Sequence, residues 1–210
     1  MATQVDICNM ALAYLGNEAT VTSLNPPEGS AEAEHCARFY PIARNELLAV
    51  HPWSFAKRRE RLARLAQEPE GQPGYYYYPL PADCIQLIKA FSNASSEMRT
   101  LSYTIETTEA GPVIVAKYPD LWVTYISSKV RETEFSALFT NALVHKLAIL
   151  LAGPLMGGSS GGAFLRDHYA IFEKALEKTQ KADARQQPTK AKYKTPFIGD
   201  ADPEVHDVFD

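Results

Sequence analysis

Long helical stripes vanish from residues 53–130, although the segments on both sides of them carry such stripes. That break limits the chain to a mixed architecture, in which strands interrupt a helical polypeptide. Before the break, Thr3-Gln-Val-Asp6 fits a capping box, in which hydroxyl and carboxylate satisfy the free amides of a first helical turn. Val5, Cys8, Leu12 and Leu15 then fall on one face, which predicts a helix over 3–15 ended by Gly16. No helix can cross Asn25-Pro26-Pro27, so 17–29 is a loop. Ser30 is a fitting cap for a second helix over 30–50, with Ala33, Cys36 or Ala37, Tyr40, Ala43, Leu47 and Val50 inward. Pro41 lies inside this pattern, where it removes a backbone hydrogen bond and can kink the helix, and Pro52 closes it.

Within the break, strands are expected at 75–79, 84–91, 98–105, 113–116 and 121–130. The last has Trp122, Thr124 and Ile126 on one side and Val123 and Tyr125 on the other, as in a strand covered on both faces. After Thr133 helices return. Residues 135–152 are apolar almost all round and predict the central helix, stopped by Gly153-Pro154. GPLMGGSSGG reads as a loop, and 160–185 as a fourth helix with Leu165, Tyr169, Phe172, Leu176 and Thr179 inward. The expected fold is therefore α+β: a four-helix bundle with an inserted antiparallel β-sheet domain and an extended C-terminal tail. Its parts are the helical residues 1–52 and 131–185, the insertion 53–130 and the tail 186–210.

A chain of 210 residues that is 46% hydrophobic and 22% charged can bury a sizeable core. The longest apolar run, 142–152, contains His145 and Lys146, so no membrane-spanning segment is expected. The first ten residues lack the order of a secretory signal, which predicts a soluble protein made in the cytosol. Three scattered cysteines, Cys8, Cys36 and Cys84, read as buried reduced thiols rather than a disulfide framework.

Five cations, Lys57, Arg58, Arg59, Arg61 and Arg64, crowd behind His51-Pro-Trp53 in a chain whose formal net charge is -4. Overall acidity opposes general coating of nucleic acid, while a local basic patch remains compatible with it. Tyr75–Tyr78 could stack bases, but a strand turns only two of four side chains to one face. GGSSGG lacks the Lys-Ser/Thr ending and preceding strand of a phosphate loop. No zinc or calcium spacing occurs, and Asp83-Cys84 and His145 stand without a supporting catalytic motif. The expectation is a protein with no enzymatic activity, no metal and no cofactor.

The motifs, taken in order, resemble a phage family. They are Tyr14-Leu-Gly16, then Tyr40-Pro-Ile-Ala-Arg44-x-x-Leu47-Leu48, then His51-Pro-Trp53-Ser-Phe55-Ala56, then Tyr78-Pro-Leu-Pro81-Ala-Asp83-Cys84. Phe135-x-x-x-Phe139-x-x-Ala142-Leu143 through Leu147-Ala148 follows. Residues 3–185 are similar in this order to the tail tubular protein A and head-to-tail adaptor proteins of short-tailed phages and related prophages.

The resemblance implies a helical bundle with an inserted β domain and a homo-oligomeric ring, typically of twelve subunits, beneath the portal protein. Such a ring extends the DNA channel and supports the tail nozzle protein and tail fibres. It implies transient passage of double-stranded DNA, no membrane anchor, and a place at the head–tail interface of a virion made in a bacterial cytoplasm. Trp53, Phe55, Tyr78, Pro81 and Asp83 are the expected structural anchors. Arg58, Arg59, Arg61 and Arg64 are candidate subunit-interface charges. Lys190, Lys192, Tyr193, Lys194, Phe197, Ile198, Val208 and Phe209 form a candidate portal-docking tail. The alternative is a nucleic-acid-binding packaging or regulatory module using residues 57–64. Strand and helix stay open for that segment on its own spacing, and the resemblance favours a strand beginning at Trp53.

Overall fold

The computed structural model describes residues 2–92, 101–109, 111–156 and 159–186, with side chains of the last segment from Gly161 onward. Four helices, α1 (Gln4–Tyr14), α2 (Ala31–Ala49), α3 (Ala137–Leu155) and α4 (Ser159–Arg185), flank six strands. The strands are β1 (Lys57–Leu62), β2 (Tyr76–Pro79), β3 (Cys84–Phe91), β4 (Thr104–Thr108), β5 (Gly111–Ala116) and β6 (Leu121–Ser127). The protein is thus mixed α+β.

The helix ends follow their local chemistry. The Thr3 hydroxyl accepts from the Asp6 amide at 3.1 Å, and the Asp6 carboxylate accepts from the Thr3 amide at 2.8 Å. Gly16 takes φ +71°, the left-handed conformation that closes α1. Ser30 caps α2 by accepting from Ala33 N. Ser136 does the same for α3 by accepting from Phe139 N, so α3 begins after Phe135 rather than at it.

Neither internal proline breaks its helix. α2 runs on through Pro41, and α3 continues through Gly153-Pro154 to Leu155. The Pro154 ring sits in the last turn, and the Met156 amide still closes onto Ala152 O at 2.9 Å. Part of the expected loop 153–162 is therefore helix: residues 153–155 end α3 and 159–162 begin α4. Gly161 is needed there, because a Cβ would meet Met156 O at 2.9 Å.

α3 is the central helix, packed against α1, α2 and α4. It is also long and apolar enough to cross a membrane, which the run 142–152 had not suggested. Its apolar side chains instead fill the helical core with those of α1 and α2: Phe139, Leu143 and Leu147 meet Ile7, Leu12 and Leu47 in one cluster. On α4 the inward stripe is Phe164, Phe172, Ala175, Leu176 and Thr179. Tyr169, also expected inward, is 51% exposed although it stands one turn from Phe172, with the two rings 6.2 Å apart. Val50, also expected inward, is 52% exposed at the end of α2.

Among its described residues the insertion contains two three-stranded antiparallel sheets rather than one, in the orders β1-β6-β3 and β2-β5-β4. One apolar cluster joins them, with Leu121, Val123 and Tyr125 from the first and Tyr78, Ile114 and Ala116 from the second. Alternation explains the tyrosine run: Tyr76 and Tyr78 face this cluster, while Tyr77 packs with Val113 and Val115 on the other side. β6 is the middle strand of its sheet and is covered on both faces, its Ile126 reaching the helical core. It ends at Ser127, three residues short of the expected 130. β4 lies later than expected, at 104–108, and residues 98–100 of that expectation lie outside the described residues.

The strand expected to begin at Trp53 begins instead at Lys57, because Ser54–Ala56 form a 3-10 turn. Trp53, just ahead of that turn, is fully buried. Cys8 and Cys36 are buried and Cys84 half-buried, and all three are free thiols.

Candidate functional site

Tyr40, Arg44, Trp53, Phe55 and Phe139 meet where the strands join the helices. Trp53 is fully buried there, and its indole N–H donates to Leu47 O at 2.8 Å. Its ring meets Phe139 edge-on at 5.1 Å and stacks with Phe55 at 6.1 Å; Phe55 packs in turn on Phe135 and Phe139. Across the same seam, the Tyr40 hydroxyl donates to Glu132 at 3.0 Å. The Arg44 guanidinium donates to Ser128 O at 2.7 Å and also to Val130 O. The entry to the insertion and its exit are thus both fastened to α2.

Asp183 completes the seam from α4. Its carboxylate accepts from Ser54 N at 3.0 Å and from the Ser54 hydroxyl, and it lies 3.2 Å from His51 Nε2. A carboxylate near a helix C-terminus opposes the helix dipole. Capping the Ser54 turn supplies compensating hydrogen bonds. The imidazole does not stand between carboxylate and hydroxyl, as a proton-relaying triad needs. Nothing in the spacing of 160–185 singled out Asp183; its signal was one acidic residue on a buried helical stripe.

Beyond the seam, β1 carries the arginines along the edge of its sheet. They do not form one uncommitted patch. Arg61 pairs with Asp120 at 2.6 Å, Arg59 lies over the Phe91 ring at 5.0 Å and Arg64 over the Tyr76 ring at 4.6 Å. Arg58 reaches Lys129 O at 3.5 Å. Arg58, Arg59 and Lys129 line an open cleft of about 700 Å³ with Glu60, Pro81, Asp83 and Tyr125. Two of the candidate interface charges and two of the expected anchors therefore share one cleft, while Arg61 and Arg64 lie apart from it.

The carboxylates of this cleft are already engaged. Ser127 donates to Asp83 Oδ2 at 2.5 Å, and the single Tyr125 proton serves Glu60 at 3.1 Å and Asp83 at 3.2 Å. Burial alone would raise the Asp83 pKa, but the hydrogen bonds from Ser127, its own backbone and Tyr125, with the charge of Lys129, hold it below the usual carboxylate value. Burial, Glu60 and Asp83 push the Tyr125 hydroxyl up, so it stays protonated. Burial and Asp83 push the Cys84 thiol up to about 11, which keeps it a poor nucleophile at neutral pH. Three cations and two carboxylates thus line the cleft, and both carboxylates accept internal hydrogen bonds.

A depressed carboxyl pKa stabilises the fold above the unfolded value and loses that contribution as pH falls through the folded value. Thermal melts from pH 6 to pH 2.5 are expected to show a shallower acid limb in Asp83→Asn than in the parent chain. Identical acid limbs would remove Asp83 from the acid sensitivity of the fold.

The remaining sequence candidates lie elsewhere. Tyr78 is buried between the sheets and donates to Tyr118 O. His145 is buried on α3, with its ring 4.7 Å from Tyr14 and 5.8 Å from His168. Burial, followed by His168, lowers its pKa and favours the neutral ring. Lys190, Lys192, Tyr193, Lys194, Phe197, Ile198, Val208 and Phe209 lie outside the described residues. Comparison with protein-family models gives no match, and a search of curated proteins likewise gives none.

Proposed function

We propose that this chain is a structural virion protein, a head-to-tail adaptor that forms a ring under the portal of a short-tailed phage. The ring, of twelve copies, extends the DNA channel and carries the tail nozzle and fibres. Within it, α1–α4 act as a four-helix bundle and residues 53–130 as an inserted β domain, with 186–210 reaching the portal. The observation that carries this reading is the shared location of the motif residues. Tyr40, Arg44, Trp53, Phe55 and Phe139 are scattered through the sequence, yet all fasten strands to helices at one seam. A ring subunit needs such a seam, because heterologous contacts on both parts must keep a fixed relation around the ring.

The nucleic-acid alternative is less favoured. Arg61 is neutralised by Asp120, and Arg59 and Arg64 lie over aromatic rings rather than forming a continuous phosphate-facing row. A subunit with net charge -4 also suits DNA passage better than capture.

Mixing the purified protein with portal particles is expected to give rings seated on the portal by electron microscopy. Portal particles that stay bare would overturn the proposal. Tight duplex binding at about 150 mM salt, lost in Arg58→Ala/Arg59→Ala/Arg61→Ala, would establish the alternative instead.

A further inference from the structure

We propose that the cleft beside β1 seats the chain's own acidic segment, residues 200–210, within the same subunit. The cleft gathers three cations, Arg58, Arg59 and Lys129, against two carboxylates, Glu60 and Asp83. Among the described residues no carboxylate lies at salt-bridge distance from Arg58, Arg59 or Lys129, and Glu60 and Asp83 are held by Tyr125 and Ser127. Residues 200–210 supply Asp200, Asp202, Glu204, Asp207 and Asp210 and contain no Lys or Arg.

The strand edge selects the same occupant. β1 pairs with β6 on one side and, among the described residues, with no strand on the other. An open edge presents unpaired amides and carbonyls that an extended segment can bond. A second copy of β1 is a poor partner, because it would bring Lys57, Arg58, Arg59 and Arg61 against the same four cations. An acidic segment meets both requirements, the backbone edge and the charge.

The chain also leaves the helices in the right place. Asp183, two residues before the end of α4 at Arg185, is bonded to Ser54, three residues ahead of β1. The 13 residues 187–199 can span at most about 45 Å, whereas β1 is about 20 Å long. Tethering at that range gives the segment an effective concentration on the order of millimolar, above that of any neighbouring copy in dilute solution. The inference concerns the free subunit, before residues 186–210 reach the portal, and stands without the assembly reading.

Carbodiimide cross-linking of the full-length chain at about 20 mM salt, read by mass spectrometry, tests the seat. Carboxylates within 200–210 are expected to join Lys129 or Lys57 in the same molecule, with a yield unchanged on about tenfold dilution and lost near 1 M salt. In the variant Asp200→Asn/Asp202→Asn/Glu204→Gln/Asp207→Asn/Asp210→Asn, the amides of β1 are expected to exchange about threefold faster than in the parent. Absence of these cross-links, or β1 exchange equal in the two proteins, overturns the proposal. So do cross-links found only between differently isotope-labelled copies. Duplex DNA that binds the cleft equally with and without the tail charges would make it a nucleic-acid site, and the proposal fails.

Discussion

Trp53→Ala is expected to lower the unfolding free energy by about 4 kcal/mol, the range for removing a fully buried large aromatic. Three losses combine at this position. The indole leaves a cavity among Phe55, Phe139 and His51, the edge-on contact with Phe139 disappears, and Leu47 O loses its donor beside the end of α2. Trp53→Phe should recover most of the packing but leave the carbonyl without the indole donor, so it belongs between the two. Urea unfolding followed by circular dichroism measures all three proteins. A loss below about 1 kcal/mol in Trp53→Ala would mean that the seam does not hold the strands to the helices.

Asp183→Ala is expected to cost about 3 kcal/mol, because a charge-assisted acceptor is removed while its donors stay in place. Ser54 N, the Ser54 hydroxyl and His51 all lose this partner, and the residue is only 7% exposed. The contrast is Glu177→Ala on the same helix. Glu177 is 63% exposed on its side chain and pairs with Lys181 one turn away, so solvent screens the pair and little stability is at stake. Equal losses in the two variants would show that Asp183 acts only as another surface charge of α4. Reduced protection of residues 53–56 in hydrogen exchange, confined to Asp183→Ala, would locate the effect at the turn it caps.

Local chemistry was legible wherever one short stretch contains both partners. The Thr3–Asp6 box, the Ser30 cap, the turn at Gly16 and the alternation of Tyr76, Tyr77 and Tyr78 each depend on neighbours within a few positions. The two-sided character of β6 was legible for a related reason, since a middle strand covered on both faces must be apolar at odd and even positions alike. Gly153-Pro154 misled: it carries a strong local bias against helix, and packing of the surrounding apolar turns overrode it, whereas Pro41 was read inside its helix and α2 runs through it.

The candidate cleft was half legible. The charge of β1 was plain, but its division was not. Whether an arginine faces Asp120, an aromatic ring or open solvent depends on strand register, and one position of slip reverses every face. The expectation of a single sheet failed on the same ground. Strand patterns state which residues can pair, and the split into β1-β6-β3 and β2-β5-β4 follows from which of them share the cluster around Tyr78 and Val123.

By itself, the sequence determined the four helices, the interruption between them, and the concentration of charge just behind Trp53. These are properties of period and composition, which act over a turn or a pair of strands. Only the tertiary structure decided that Ser54 belongs to Asp183, Tyr40 to Glu132 and Arg44 to Ser128. Those partners stand 129, 92 and 84 positions apart along the chain. No local preference selects a partner at that distance; it is set when the apolar faces of α3 and β6 are buried and the polar groups at their margins must find hydrogen bonds.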